Sequence, residues 1–449
     1  MKHLFALLVA FLLPVCHAIA LTGSWRGDLN FGQTKIPIVL NFTETADGTT
    51  NCTLDSPMQG AKGIPVDVLL CTADSVSLAC HSIGASFEGK VISKAVKGTF
   101  KQHGYSFPLT LSPEAPIEER RPQTPKPPFP YSVTDTTFTS PDGAVMSATL
   151  TMPLNASSKK IPAVVLVTGS GPQNRDEEVF EHKPFAVIAD FLARNGIASL
   201  RYDDRGTGRS GGNFMAATTE TFKEDAGSGV AFMRTIASIG KVGVIGHSEG
   251  GTIAFMLGAK GIPDFIVSLA GMAVSGKETI LKQNGRGLDQ MGLTGADKEN
   301  SLKLIGLVFD TMIKQTKTGI SSPVNTDSIA SAAGLKPLPQ IAESLRMTQK
   351  MRTPWFDAFL DLNPREYLKD VRCPILAING DKDTQVEADN LAVIKKLTPQ
   401  AQTMLMPGLN HLMQHAVTGN ANEYGEIRET FSTEVLEAIV LFIKNTPPL

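Results

Sequence analysis

From residue 21 to about 112 the chain reads in short alternating runs. Those at 36–42, 66–70, 76–79 and 107–111 place branched or apolar residues in short blocks or at every second position. Asp47-Gly48 and Asp74-Ser75 punctuate them as turn signals. A period of two predicts half-buried strands. About eight fit into this span, which predicts a small all-β domain, an antiparallel barrel or sandwich. From residue 132 the pattern changes. Near-continuous apolar runs at 163–167, 197–202, 242–245, 265–269 and 374–378 are separated by stretches of helical period. Strands apolar on both sides need cover on both sides, so 132–449 is predicted as an α/β domain with a mostly parallel sheet and helices on both faces. Pro141-Asp142-Gly143 predicts a hairpin turn ahead of it. Between 274 and 369 the strand signal stops and helix formers take over. That stretch exceeds an ordinary crossover, and it predicts a helical lid insertion over the C-terminal edge of the sheet.

Between the two patterns lies a proline-rich segment, 113–131, with seven prolines and the charged run Glu118-Glu119-Arg120-Arg121. Prolines exclude a helix or a central strand here, so a stiff extended linker is expected. At the start of the chain, Lys2 precedes an apolar run from Leu4 to Leu13, Pro14 breaks it, and Ala18-Ile19-Ala20 supplies small residues. This predicts a signal peptide over residues 1–20, cleaved after Ala20, and hence a secreted or periplasmic protein. About ten apolar residues are too few for a membrane span, which needs roughly 20. Leu13-Pro14-Val15 before Cys16 lacks the small residue that lipoprotein processing favours. No stable membrane anchor is therefore expected.

The formal net charge is −2 over 449 residues, so no bulk basic field draws the chain to nucleic acid. Removing the signal leaves Cys52, Cys71, Cys80 and Cys373. An exported chain permits disulfides, and a bridge within the first three is expected, with Cys373 as a free core thiol. Asn41, Asn51 and Asn155 begin Asn-x-Ser/Thr sequons.

Two segments match Gly-x-Ser-x-Gly: Gly246-His247-Ser248-Glu249-Gly250 and Gly208-Arg209-Ser210-Gly211-Gly212. Chance supplies roughly 0.1–0.2 such matches in a chain of this length, so context must decide. A nucleophile elbow needs a strand feeding a sharp turn feeding a helix, with glycines where side chains would clash. Ser248 has an apolar strand before it and a helical stretch after it. Ser210 follows the polar run Asp203-Asp204-Arg205-Gly206 and reads as a glycine-rich loop. Ser248 is thus the candidate nucleophile. The Glu249 backbone N–H, at the start of the next helix, would face the developing oxyanion. A second donor is expected from Thr168-Gly169-Ser170-Gly171-Pro172, with Ser170 N–H preferred and Gly171 as the alternative.

The acid and the base should follow the serine in that order. After the 373–379 run come Gly380-Asp381-Lys382-Asp383. Asp381 sits where it would cap the turn, and Asp383 projects from the loop, so Asp383 is preferred with Asp381 as its competitor. Of eight histidines, His411 lies in a glycine-bearing loop after the strand-like 402–405 and can reach both partners. His415 reads as a structural or surface residue, and the His247 side chain is expected to point away from the site. His411 and His415 are spaced four apart, as on a zinc-binding helix, but residue 412 is Leu where that motif needs Glu. No metal is expected.

The segments Thr168-Gly169-Ser170-Gly171-Pro172-Gln173-Asn174-Arg175-Asp176, Arg201-Tyr202-Asp203-Asp204-Arg205-Gly206, Gly246-His247-Ser248-Glu249-Gly250-Gly251, Gly380-Asp381-Lys382-Asp383-Thr384-Gln385-Val386 and Gly408-Leu409-Asn410-His411 give the chain a family resemblance. It resembles bacterial α/β-hydrolase carboxylesterases that carry an N-terminal β domain. Gly60-Ala61-Lys62-Gly63-Ile64-Pro65 is similar to the β domain of that family. The resemblance implies an α/β-hydrolase fold and Ser248, Asp383 and His411 as a catalytic triad. It further implies hydrolysis of short-chain acyl esters, a small-molecule ester substrate, and no metal or organic cofactor. Family members often carry Asp at the Asn174 position, and the Arg201–Gly206 stretch reads as a structural loop. A serine peptidase or amidase on the same fold is the alternative, although no 40–50-residue period marks a propeller-type β domain. A non-catalytic binding protein on this scaffold is the third reading, opposed by the complete set of triad residues.

Overall fold

Alternation along the first hundred residues closes on itself. Eight strands, β1 (Gly23–Phe31), β2 (Thr34–Glu44), β3 (Thr50–Ser56), β4 (Ala61–Cys71), β5 (Ser75–Cys80), β6 (Ala85–Ile92), β7 (Ala95–Gln102) and β8 (Tyr105–Pro113), form a closed antiparallel barrel with β8 pairing back onto β1. In β5 every second residue, Val76, Leu78 and Cys80, is buried. With Trp25, Phe42, Phe87, Phe100 and Leu111 they fill the interior. The computed structural model describes residues 21–447 apart from 32–33, 46–48, 58–60, 114–119, 155–159 and 321. The expected signal peptide, the turn expected at Asp47-Gly48, Gly60, the Asn155 sequon and part of the proline-rich segment lie outside the described residues.

The expected disulfide is absent: Cys52, Cys71, Cys80 and Cys373 are all free thiols. Cys52 and Cys80 are buried in the barrel core as small apolar side chains. Burial, reinforced by Cys71 and Cys80 nearby, pushes the Cys52 thiol up to about 12. Such a thiol yields little thiolate, the form that attacks a disulfide.

The chain divides into two compact units, Met1–Arg120 and Arg121–Leu449. The second unit therefore begins inside the stretch expected as a linker. Arg121 is buried and donates to the carbonyls of Phe180, Gly425 and Ile427. Gln123 donates to the Phe431 carbonyl and accepts from the Thr430 N–H. These side chains anchor the entry of the second unit, which the proline content alone does not reveal.

That unit is built on an eight-stranded sheet. Its strands are β9 (Tyr131–Thr139), β10 (Val145–Pro153), β11 (Ile161–Val167), β12 (Ala198–Tyr202), β13 (Ile239–His247), β14 (Ile266–Leu269), β15 (Ile375–Gly380) and β16 (Gln402–Met406). Their order is β16-β15-β14-β13-β11-β12-β10-β9, parallel from β12 to β16, with β9 and β10 antiparallel. Successive residues of β11 serve opposite cores. Ala163, Val165 and Val167 pack with α2 (Thr219–Arg234), α3 (Glu249–Ala259) and α10 (Asn390–Leu397). Val164 and Leu166 pack with α1 (Pro184–Arg194) and α11 (Thr433–Asn445) on the other face. This two-sided burial explains why these strands read as unbroken apolar runs.

Between β14 and β15 the chain is helical, as the lost strand signal predicts. It forms α4 (Gly276–Gln290), α5 (Gly295–Lys317), α6 (Thr326–Ala332), α7 (Pro339–Lys350), α8 (Pro354–Asp361) and α9 (Arg365–Leu368). The insertion has its own apolar centre, including Leu304, Val308, Phe309, Ile341 and Leu345. Lys282 on α4 ties it to the sheet-end loop through Glu387 and Asp389.

The loop after β12 is held by charge. Arg205 and Asp225 are buried and make two hydrogen bonds, of 2.8 and 2.6 Å, with Ser140 also bound to Asp225. Removing one partner strands a buried charge. Asp225→Ala is expected to cost about 3 kcal/mol, the low end for a broken buried pair, because Asp142 still pairs with Arg205. Urea denaturation of the variant against wild type measures it.

Candidate active site

At the end of β13 the chain must leave the sheet and start α3 within one residue. Ser248 does so with φ 53° and ψ −116°, a region that non-glycine residues rarely occupy. Its N–H is held by the Leu269 carbonyl at 2.8 Å. The flanking glycines are steric requirements. A Cβ on Gly246 would lie 2.0 Å from the Gly250 carbonyl oxygen, and one on Gly250 would lie 2.1 Å from the Val167 carbonyl oxygen. The start of α3 therefore packs directly on the end of β11. Ser210 has no such setting: its Oγ donates to the Asp203 carbonyl and accepts from the Ser147 N–H.

The loop after β11 lies against the serine, with a Cβ on Gly169 falling 3.2 Å from that of Ser248. The Gly169 N–H is committed to Glu177 at 2.6 Å. Ser170, and not Gly171, lines the same cavity as Ser248. Buried Asp204 pins both ends of this loop, accepting from Thr168 Oγ1 at 2.8 Å and from the Gln173 N–H at 3.0 Å. Burial drives its carboxyl well above the usual range, against those two hydrogen bonds. Arg175 binds Asp203, and Arg201 binds Asp176. The segments 173–176 and 201–204 thus interlock as the two sides of one structure. Asn174 Oδ1 caps the turn at 174–178 by accepting from the Asp176 and Glu178 N–H groups.

After β15, the Asp383 carboxylate is almost fully buried. Its Oδ1 accepts from the Gln385 and Val386 N–H groups, at 2.8 and 2.9 Å. Its Oδ2 stands 2.8 Å from His411 Nδ1. A carboxylate only accepts, so Nδ1 carries the proton and Nε2 is left as a base. Asp381 does different work: its Oδ1 accepts from the Gly408 N–H at 2.7 Å and steadies the loop that carries His411. Of the two aspartates, the geometry joins Asp383 to the histidine. Ser248, Ser170 and His411 line one cavity of about 430 Å3, which Trp355 and Phe359 of the insertion also enclose. Glu249, whose N–H opens α3, is buried beneath it. His415 is half exposed and bound to Glu429. Among the described residues no group of three His, Cys, Asp or Glu side chains is placed to hold a metal.

His247 departs from expectation. Its side chain does not point away but reaches under His411, the two ring centroids 4.8 Å apart. Nδ1 donates to Glu177 Oε1 and Nε2 donates to the His411 carbonyl, both at 2.9 Å. Both nitrogens face acceptors, which favours the doubly protonated ring. Burial alone would lower its pKa, but the Glu177 charge and hydrogen bond and the His411 carbonyl outweigh burial and raise it. Sequence reasoning missed Glu177, 70 residues away in an unpatterned loop. It also missed Trp355, one of two tryptophans in the chain and the one inside the insertion.

Residues 142–413 match the X-Pro dipeptidyl-peptidase (S15) family. The chain belongs to that family. It is 25% identical over 259 residues to esterase EstD of Thermotoga maritima, covering 57% of this chain and 55% of that protein. The chain thus spans about half the length of the curated relative it matches. Among solved structures, an esterase of Pyrococcus furiosus is 17% identical, with 70% of this chain and 92% of that one covered at a TM-score of 0.43. Est1E of Butyrivibrio proteoclasticus, solved with ferulic acid bound, is 18% identical, with coverage of 69% and 99% and a TM-score of 0.42. The S15 family member described here has the α/β-hydrolase fold expected from its sequence, preceded by an all-β barrel.

The sign of the His247 shift sets a pH dependence. A raised folded-state pKa stabilises fully below the ordinary value of 6.5, and the effect is lost as pH rises through the folded value. Glu177→Gln should therefore lower the melting temperature most near pH 5.5. The gap to wild type should narrow as the pH is raised past neutral, as thermal melts across that range would record.

Proposed function

We propose that this protein is a serine hydrolase that cleaves carboxylic esters of short acyl chains through Ser248, His411 and Asp383. The 2.8 Å bond between His411 Nδ1 and Asp383 Oδ2, beside a strained serine in the same cavity, carries this reading. Ser248 Oγ attacks the ester carbonyl as His411 Nε2 takes its proton. Asp383 keeps the tautomer and steadies the imidazolium. The carbonyl oxygen, now an oxyanion, accepts from the Ser170 and Glu249 N–H groups. His411 returns the proton to the departing alcohol, and water then releases the acid by the reverse sequence. His247, clasped between Glu177 and the His411 carbonyl, holds the backbone that carries His411.

The family description favours a second reading, cleavage of a dipeptide ending in proline from a peptide N-terminus. Such a substrate brings a free ammonium, which a site rejects unless it offers an anionic partner. The acidic side chain among the described residues lining the cavity is Glu177, and it is 5% exposed and bound to His247 and the Gly169 N–H. This supports the ester over the peptide.

On p-nitrophenyl acetate, Ser248→Ala should lower kcat by roughly 10⁴-fold or more, and Asp383→Asn by a comparable factor. Full activity of Ser248→Ala would end the proposal. Faster turnover of an Xaa-Pro-p-nitroanilide than of the ester would transfer it to the peptidase reading. We further propose export, on the apolar run at 4–13 and Ala18-Ile19-Ala20. N-terminal sequencing of the protein from expressing cells should then begin at Leu21, and an intact Met1 would count against it.

A further inference from the structure

Two cavities meet at a shared wall. The first contains Ser248 and His411. The second, of about 450 Å3, is lined by Phe214, Met215, Met351 and Phe356 with the hydroxyls of Thr348 and Thr353. Ser170 and Trp355 line both. Met215 and Met351 are well exposed at its margin, and unbranched thioethers adapt readily to apolar chains.

Trp355 is held firmly as a partition. It lies in the first turn of α8, which is capped by Thr353 Oγ1 accepting from the Phe356 N–H. Its ring lies 5.0 Å, centroid to centroid, from Phe359. Its indole N–H is shared between the two carboxylate oxygens of Glu249, at 2.8 and 3.0 Å. Glu249 is buried, and Thr219 Oγ1 donates to it at 2.6 Å. The residue that follows the nucleophile thus fixes the position of a side chain from the insertion.

The direction of the substrate follows from the chemistry. The departing alcohol must lie near His411, because it receives that proton, so it occupies the first cavity. The carbonyl oxygen faces Ser170 and Glu249. The acyl chain then runs away from His411, past Ser170 and toward Trp355. We propose that Trp355 sets the acyl-length limit of this enzyme, and that the apolar cavity behind it is an acyl site which the indole closes off. This rests on the esterase reading of Ser248, and the test separates the two.

The measurement is kcat/KM for p-nitrophenyl acetate and p-nitrophenyl octanoate. Trp355→Ala should raise the octanoate-to-acetate ratio by about tenfold or more. Adding Thr348→Phe, which fills the second cavity and does not line the first, should bring the ratio back down by about threefold or more. Trp355→Leu retains an apolar contact with Phe359 and should move the ratio in the same direction by a smaller factor, which guards against a variant that fails to fold. An unchanged ratio in folded Trp355→Ala and Trp355→Leu, with Ser248-dependent acetate hydrolysis intact, would overturn the acyl-limit proposal alone. So would a raised ratio that Thr348→Phe leaves in place, because the chain would then lie elsewhere. Ester hydrolysis that survives Ser248→Ala would overturn the underlying reading and this inference with it.

Discussion

Ser248 sits in a left-handed backbone conformation, and the surroundings must hold it there. Its N–H is tied to the end of β14, and the glycines on either side let α3 press onto the end of β11. That approach brings three things to one place. The N-terminus of α3, the loop carrying Ser170, and the cavity wall from the insertion all converge on the serine. Any side chain at Gly250 would meet the Val167 and Thr168 carbonyls and push the loop away from Ser248. The remainder of the site is arranged around this one contact between a helix start and a strand end.

Around it the protein buries charge in pairs and hydrogen-bonded sets. Asp204 receives Thr168 and Gln173, Asp203 receives Arg175, and Glu177 receives His247 and Gly169. Each of these groups holds a loop at the C-terminal edge of the sheet. Loops there have no ladder to order them, so buried polar bonds take over that task. Buried carboxylates are costly unless satisfied, and these are satisfied by backbone N–H groups, a hydroxyl, an imidazole and a guanidinium.

The parallel strands were legible because their residues serve two cores at once, as Val164 and Val165 do. The insertion was legible by the disappearance of that signal. Ser248 was separated from Ser210 by its strand and helix, and Asp383 was preferred over Asp381 by turn position. What stayed hidden depends on contacts between distant segments. Nothing local to His247 indicates that Glu177 and the His411 carbonyl will claim its ring. Nothing in Pro113–Pro130 shows that Arg121 will find three carbonyls from far along the chain. Cysteine spacing suggested a bridge, whereas inward alternation on β3 and β5 uses Cys52 and Cys80 as core residues. Trp355 belongs to the same class, because a lone aromatic in a helical stretch does not announce its partner.

The N-terminal barrel has a consequence of a different kind. Closure joins β1 to β8 at Trp25–Pro113 and Arg26–Ser112, so the barrel lacks the two free edges of an open sheet. A closed sheet is a poor template for an added strand, whether from a peptide or from a second copy of the chain. The surfaces such a barrel offers are the side chains of its outer wall and its two ends. Residues on that wall can vary without disturbing the pairing beneath them.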